Sequence, residues 1–267
     1  MGIPVEVAVS SLLDERGLRS AMKGVDVVFH LAGTERAGIR ADLDKVDIEG
    51  TRVAAQMAAQ AGVERFIFLS HLGADRASAY PVLKAKAIAE GHIQQSGVAF
   101  TTLRSAVVFG PSDQFTVPLA SLLRRSPGIF IQPGDGQSVV QPLWVEDLVT
   151  CLILSLEDPS TIRQTINIGG SELFTYRQVV EILLERLEIR RSIVSMTPAY
   201  LRILALFFEQ FMPSFPVSIY WLDYLAADRT CPVDSLPRNF GLIPSRFTQH
   251  LDYLSGAPRK KFWSRPL

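Results

Sequence analysis

The chain has 267 residues, 48% of them hydrophobic, with 27 basic against 27 acidic side chains and a formal charge of zero. That length suffices for one large domain, or a domain plus a lobe, with an ample core, and the charge balance excludes a whole-molecule field that would draw it to nucleic acid or an anionic surface. Cys151 and Cys231 make no metal-ligand spacing and read as buried thiols; with no charged-then-apolar leader the expected setting is cytoplasmic, and no apolar run approaches the ~20 residues of a bilayer span.

In chain order, residues 5–9 alternate and are β-branched, which predicts a strand, and residues 14–23 have helical spacing through Leu18, Ala21 and Met22 up to Gly24. Residues 25–33 form an apolar stretch ending in Ala32 and Gly33, a buried parallel strand in which His30 is a packed strand-end residue. Residues 42–62 are alanine-rich and helical, with Val46, Val53, Ala54, Met57, Ala58 and Ala61 on one side and Gly62 as the stop. A strand ending at Ser70, a helix carrying Tyr80, Lys84 and Lys86, and a strand running to Pro111 make a parallel crossover unit.

Beyond it, Gly134-Asp135-Gly136 is a turn signal, Asp147 is placed to cap a helix over 148–156, and residues 166–170 read as a short strand. Thr175 is the expected cap of a helix over 176–187. Residues 201–212, from Leu201 to Met212, are strongly apolar with Arg202 and Glu209 as their charges, and fit lobe core, a partner-binding face or a helix in a membrane interface, core being favoured. The tail from Arg259 is basic and aromatic.

Ser70 at a strand end and the Tyr-x-x-x-Lys spacing of Tyr80 and Lys84 are the parts of a hydride-transfer site: a hydroxyl to orient substrate, a phenol to exchange a proton, an ammonium to lower its pKa. Leu69-Ser70-His71-Leu72-Gly73-Ala74 and Lys86-Ala87-Ile88-Ala89-Glu90 resemble the Leu-Ser-x-Leu-Gly-Ala and Lys-Ala-x-Ala-Glu motifs of the short-chain dehydrogenase/reductase superfamily, in its extended and atypical branch. The likeness is to the NmrA-like proteins and to the dehydrogenase-like accessory subunit of respiratory complex I. Three further stretches extend the resemblance over residues 5–253. Asp47-Ile48-Glu49-Gly50-Thr51 stands where the family has Asn-Val-x-Gly-Thr. Residues 103–111 match Leu-Arg-Pro-x-x-x-Tyr-Gly-Pro, with Ser105 and Phe109 as departures, and residues 141–147 match Gln-x-Val-His-Val-x-Asp, with Trp144 in the histidine position.

The resemblance implies an α/β fold: a three-layer Rossmann-type parallel sheet over residues 1–165, with part of a substrate lobe inserted after residue 111, and a small C-terminal lobe over 166–267. It implies NAD or NADP as cofactor, held by Ser11, Leu12, Leu31, Ala32, Gly33, Asp47, Leu69, Lys84, Lys86, Ser105, Ala106 and Val107, with Ser70, Tyr80 and Lys84 catalytic. Two registers compete, because Lys-Ala-x-Ala-Glu puts Lys86 in the lysine position and Val82 in the tyrosine position. The family's Gly-x-x-Gly-x-x-Gly unit has no counterpart here, and Met1 falls opposite the family's third strand. The sheet is therefore expected to be truncated at its N-terminal side, through a start lying upstream or in a shortened paralogue, the former being favoured.

The function implied is an oxidoreductase or a sugar-nucleotide-epimerase-like enzyme acting on an unidentified small molecule. The alternative is a non-catalytic nucleotide-binding scaffold or redox sensor on a membrane respiratory complex, peripheral at the inner face of the membrane and docked through residues 201–212. A homodimer through helices 42–62 and 82–95 is the superfamily's habit; no nucleic acid and no metal are expected.

Overall fold

The computed structural model of the protein describes residues 5–211 and 218–255. Helix α1 (Glu15–Ala21) leads into β1 (Val27–His30), α2 (Thr51–Ala61) into β2 (Arg65–His71), and α3 (Pro81–Gln95) into β3 (Phe100–Ser105). The chain then leaves the sheet for β4 (Val108–Phe109), α4 (Thr116–Arg125), β5 (Ile129–Pro133), β6 (Val139–Val140) and β7 (Leu143–Trp144), and returns through α5 (Val145–Glu157) to β8 (Gln164–Ile168). It continues through β9 (Phe174–Thr175), α6 (Tyr176–Arg186), β10 (Ser192–Met196), α7 (Pro198–Phe211), α8 (Ile219–Tyr224) and α9 (Ser235–Phe240).

The main sheet is parallel throughout, in the order β1-β2-β3-β8. Alternation along β2 sorts its side chains between two layers. Phe66 and Phe68 face α2 and α3, among Val53, Met57, Ala58, Ala89 and Ile93, while Ile67 packs with Leu103, Leu148, Cys151, Leu152 and Leu236 towards α5 and α9. Covered on both faces, the strand reads as a continuous apolar run. The second core belongs to the lobe, where Phe109, Phe115, Leu123, Phe130, Trp144, Val179, Leu183, Tyr224 and Phe247 gather around α4 and α6. Three two-stranded pairings, β5 with β10, β4 with β7 and β6 with β9, frame it. The layered sheet with its lobe is the fold class expected. β8 nonetheless pairs with β3 from Gln164 to Ile168, so the sheet runs across the boundary placed at residue 165.

Several elements differ from expectation. Residues 5–9 form no strand, and Val5, Val7 and Val9 are each at least 80% exposed. Among the described residues β1 pairs with β2 alone, and an alternating segment with no ladder beside it has nothing to bury against. The helix expected over 42–62 begins as a wide, π-type turn over Leu43–Gly50 before α2 takes over, and Gly62 ends it in the left-handed conformation. A Cβ at Gly50 would come within 3.0 Å of the Leu12 Cβ, so this glycine admits the loop before α1. Asp147 does not cap α5: its carboxylate accepts from the backbone N–H of Ser245 at 2.7 Å and the Ser245 hydroxyl at 3.1 Å, tying the end of the lobe to the sheet.

Thr175 caps α6 as expected, in a capping box with Gln178. α7 is not lobe core, because Ala205 is its one buried residue among those described. Met212, the end of the predicted apolar helix, and the basic tail lie outside the described residues. Among the described residues no helix is long and apolar enough to cross a membrane, and no cluster of His, Cys, Asp or Glu could hold a metal.

Candidate functional site

The carboxyl ends of β1, β2 and β3 open at the junction between sheet and lobe, the place where open α/β sheets hold ligands. A cavity of about 60 Å³ lies there, lined by Leu31, Leu69, His71, Lys86, Ser105, Ala106, Val107 and Val108 from the sheet side, and by Tyr220, Trp221 and Tyr224 of α8 from the lobe. A larger groove of about 380 Å³ runs along the outer edge of β8 beside α9. The smaller cavity is the better candidate, because a buried ammonium stands in its wall.

That ammonium is Lys86, 3% exposed. Its Nζ lies 3.0 Å from Asp47 Oδ1, and the other carboxylate oxygen of Asp47 accepts from the Thr34 backbone N–H at 2.9 Å and the Thr34 hydroxyl at 2.7 Å. Asp47, itself buried, thus fixes both the lysine and the loop that follows β1. The same loop carries Leu31 at the cavity and Ala32 and Gly33 beside it. Lys84 is two residues away, about 200° around the helix, and is exposed. Of the two registers, the one that buries a lysine at the cavity is that of Lys86.

The other expected residues take up different positions around this ion pair. Ser70 is buried but absent from the cavity lining; its hydroxyl donates to Glu90 Oε1 at 2.6 Å. Arg104 closes on the same carboxylate with two bonds, of 2.6 and 3.0 Å. Strand alternation explains the difference, since Leu69 and His71 line the cavity and Ser70 between them faces α3. Tyr80 stands just before α3 in extended backbone, half-buried, with the Arg229 guanidinium 5.9 Å from its ring centre.

Ser105, Ala106 and Val107 continue from β3 along the cavity, with the Ser105 hydroxyl donating to the Ala106 carbonyl at 3.0 Å. Ser11 and Leu12 are at the turn before α1, where the Ser11 hydroxyl accepts from the Leu13 backbone N–H. His30 lies under the floor, stacked on Phe66 and Phe68 with ring centres 5.7 Å apart, and burial with the nearby Lys86 charge lowers its pKa to about 4.

Sequence reasoning missed the lobe wall. Tyr220 and Tyr224 are spaced i, i+4 and share one face of α8; that spacing, with Trp221 between them, is the signal that could have found it. The wall is held from behind. The Ser138 hydroxyl donates to the Leu225 carbonyl at 2.5 Å, and the Arg229 guanidinium lies 4.3 Å over the Tyr224 ring while its Nη2 donates to the Asp223 carbonyl. Further on, Gln141 donates to the Gly170 carbonyl and accepts from the Cys231 backbone N–H, at 2.7 and 2.8 Å, pinning the segment after α8 to the sheet.

Comparison with known proteins gives this geometry a context. Residues 3–114 match a family model described as NAD(P)H-binding. Subunit 9 of the NADH dehydrogenase [ubiquinone] 1 alpha subcomplex, mitochondrial, of Mus musculus is 27% identical over 181 residues, covering 64% of this chain and 45% of that protein. A ceramide reductase of Caulobacter vibrioides is 31% identical over 158 residues, 59% of this chain and 49% of that one. The chain therefore spans about half the length of these curated relatives. Among solved structures, a UDP-glucose 4-epimerase of Thermotoga maritima superposes with a TM-score of 0.67 at 22% identity, over 92% of this chain and 82% of that one, a likeness of fold.

Proposed function

We propose that the chain is a member of the extended, atypical branch of the short-chain dehydrogenase/reductases, in keeping with the NAD(P)H-binding family model matched by residues 3–114, and that it works as an oxidoreductase with its reacting centre in the cavity beside Lys86. The residues lining the cavity have the chemistry of a ribose site for such a cofactor, and the about 60 Å³ open there takes only part of its nicotinamide-ribose end. An ammonium is a donor suited to ribose hydroxyls, Ala32, Gly33 and Ala106 leave room beside the strand ends, and Leu31, Leu69, Val107 and Val108 offer an apolar wall. When bound, the dinucleotide supplies or accepts a hydride.

The chain's own residues then divide the remaining work. Lys86, oriented by Asp47, holds the ribose; the aromatic wall of α8 keeps water from the small cavity; Val107 and Val108 set the face on which substrate lies. Val82 has no proton to exchange, and Ser70 is engaged with Glu90, so substrate orientation falls to the lobe side. The observation that carries this reading is the buried Lys86 at the cavity.

The test is fluorescence titration of NADH and of NADPH. Lys86→Gln, which keeps a donor for Asp47, is expected to weaken the bound dinucleotide by about 10- to 100-fold, the loss of a charge-assisted bond, with Lys84→Gln close to wild type. An unaltered affinity in Lys86→Gln would remove the cavity from cofactor binding. The same titration separates NADH from NADPH.

One observation favours a second reading, a non-catalytic dinucleotide-binding scaffold: α7 presents Tyr200, Ile203, Phe207 and Phe211 to solvent. The name of the mouse relative, a subunit of a larger dehydrogenase, is consistent with a docking face of that kind.

A further inference from the structure

Tyr224 is 3% exposed, lines the cavity with Lys86, and carries a buried hydroxyl with no partner of hydrogen-bonding geometry. The backbone N–H of Val107, itself a lining residue, is close enough to act on the phenol oxygen as a donor, with Tyr220 and Arg229 also nearby, and none of these three accepts the hydroxyl proton in hydrogen-bonding geometry. Buried hydroxyls are ordinarily paired, and one left without a partner in a well-packed wall calls for an explanation. Looseness does not supply it. Tyr224 is clamped by the Arg229 guanidinium over its ring, by Trp221 edge-on with ring centres 5.4 Å apart, and by the bond that holds the Leu225 carbonyl.

Arg229 is itself 5% exposed and backs the ring, lying over both Tyr224 and Tyr80 while its Nη2 donates to the Asp223 carbonyl. Burial pushes the Tyr224 phenol well above its ordinary range, which keeps it protonated, and therefore a hydrogen-bond donor, at every physiological pH.

Resting on the reading of the cavity given above, we propose that the Tyr224 hydroxyl is the donor that receives a carbonyl oxygen entering beside Lys86. It takes the place, from the C-terminal lobe, of the phenol that α3 does not supply. A carbonyl oxygen could reach it from two sources, the carboxamide of the nicotinamide ring or the carbonyl of a substrate. The role is one of positioning: Tyr224 fixes the acceptor, and its backing by Arg229 sets the direction of the bond.

The native protein and Tyr224→Phe would be compared in three measurements: thermal midpoint, affinity for NADH against ADP-ribose, and NAD(P)H-dependent reduction of 9,10-phenanthrenequinone as a carbonyl probe. The thermal midpoint of the variant is expected to be equal or higher, because the hydroxyl removed has no partner in the fold. If the carboxamide is the acceptor, NADH binds about five- to twentyfold more weakly while ADP-ribose is unchanged. If it is the substrate carbonyl, both affinities stand and KM for the quinone rises by a similar factor.

A lowered thermal midpoint would make the hydroxyl structural and overturn the proposal, as would unchanged NADH affinity together with unchanged quinone kinetics. Failure of the cavity reading itself looks different: Lys86→Gln and Tyr224→Phe would then both bind NADH and ADP-ribose as the native protein does.

Discussion

His30 shows how far a single side chain in this fold is governed by what covers it. Its Nε2 lies 2.9 Å from the Thr51 hydroxyl, and burial, reinforced by the Lys86 charge, lowers its pKa from 6.5 to about 4. The folded value is below the unfolded one, so between these limits the unfolded chain binds a proton that the folded chain refuses. Stability is therefore expected to fall as pH drops from about 6.5 towards 4, by on the order of 3 kcal/mol if the whole shift is realised. Urea midpoints recorded from pH 7 to pH 4 should be flatter for His30→Gln than for wild type, and parallel curves would acquit the imidazole. His30 was legible in the sequence as a packed residue because an apolar strand led into it. Lys84 and Lys86 were harder to separate, since the Tyr-x-x-x-Lys spacing and the Lys-Ala-x-Ala-Glu motif pointed to different lysines; two residues of helix turn decide which is buried. Ser70 resisted for a related reason, because strand alternation assigns its face only once the layer beneath Phe68 is known.

Among elements, the buried parallel strands β2 and β3 were plain from their unbroken apolar runs, and α6 from its cap. What escaped was decided by neighbours distant in sequence. Residues 5–9 have strand composition and no partner strand; Asp147 has cap chemistry, yet a segment 98 residues away takes its carboxylate. The β8–β9 connection carries a constraint of the same long-range kind. A Cβ added at Gly170 would lie 1.9 Å from the Pro142 carbonyl oxygen, a backbone atom that cannot swing aside. Gly170→Ala is expected to cost roughly 2–3 kcal/mol and to lower the thermal midpoint by about 5–10 °C. It should also loosen the Gln141 clamp on Cys231 behind the α8 wall. A midpoint within about 2 °C of wild type would contradict that close approach.

At the scale of the whole molecule, α7 leaves a large apolar surface uncovered among the described residues. Tyr200, Ile203, Phe207 and Phe211 on α7 are between 53% and 69% exposed and recur at helical spacing on one side. α7 is not loosely attached: Arg202 pairs with Asp223 at 2.7 Å, Glu209 accepts from the Ile219 backbone N–H, and Arg40 reaches the Glu209 carbonyl. If this stripe is a docking face for a lipid surface, the protein should co-sediment with phosphatidylcholine vesicles and Phe207→Asp should release it; protein that stays in the supernatant would sink that reading. The sequence announced the apolar helix but not its exposure, since lobe core and docking face have the same composition.

Asp47 has one more consequence. A single buried carboxylate grips both Lys86 and the Thr34 loop, so anything that draws the ammonium towards a ligand alters the hold on that loop, and any contact that steadies the loop alters the ligand's affinity in the same ratio. Thermodynamic reciprocity thus makes the surface beside β1 a place from which a neighbouring protein could tune occupancy of the cavity without touching it.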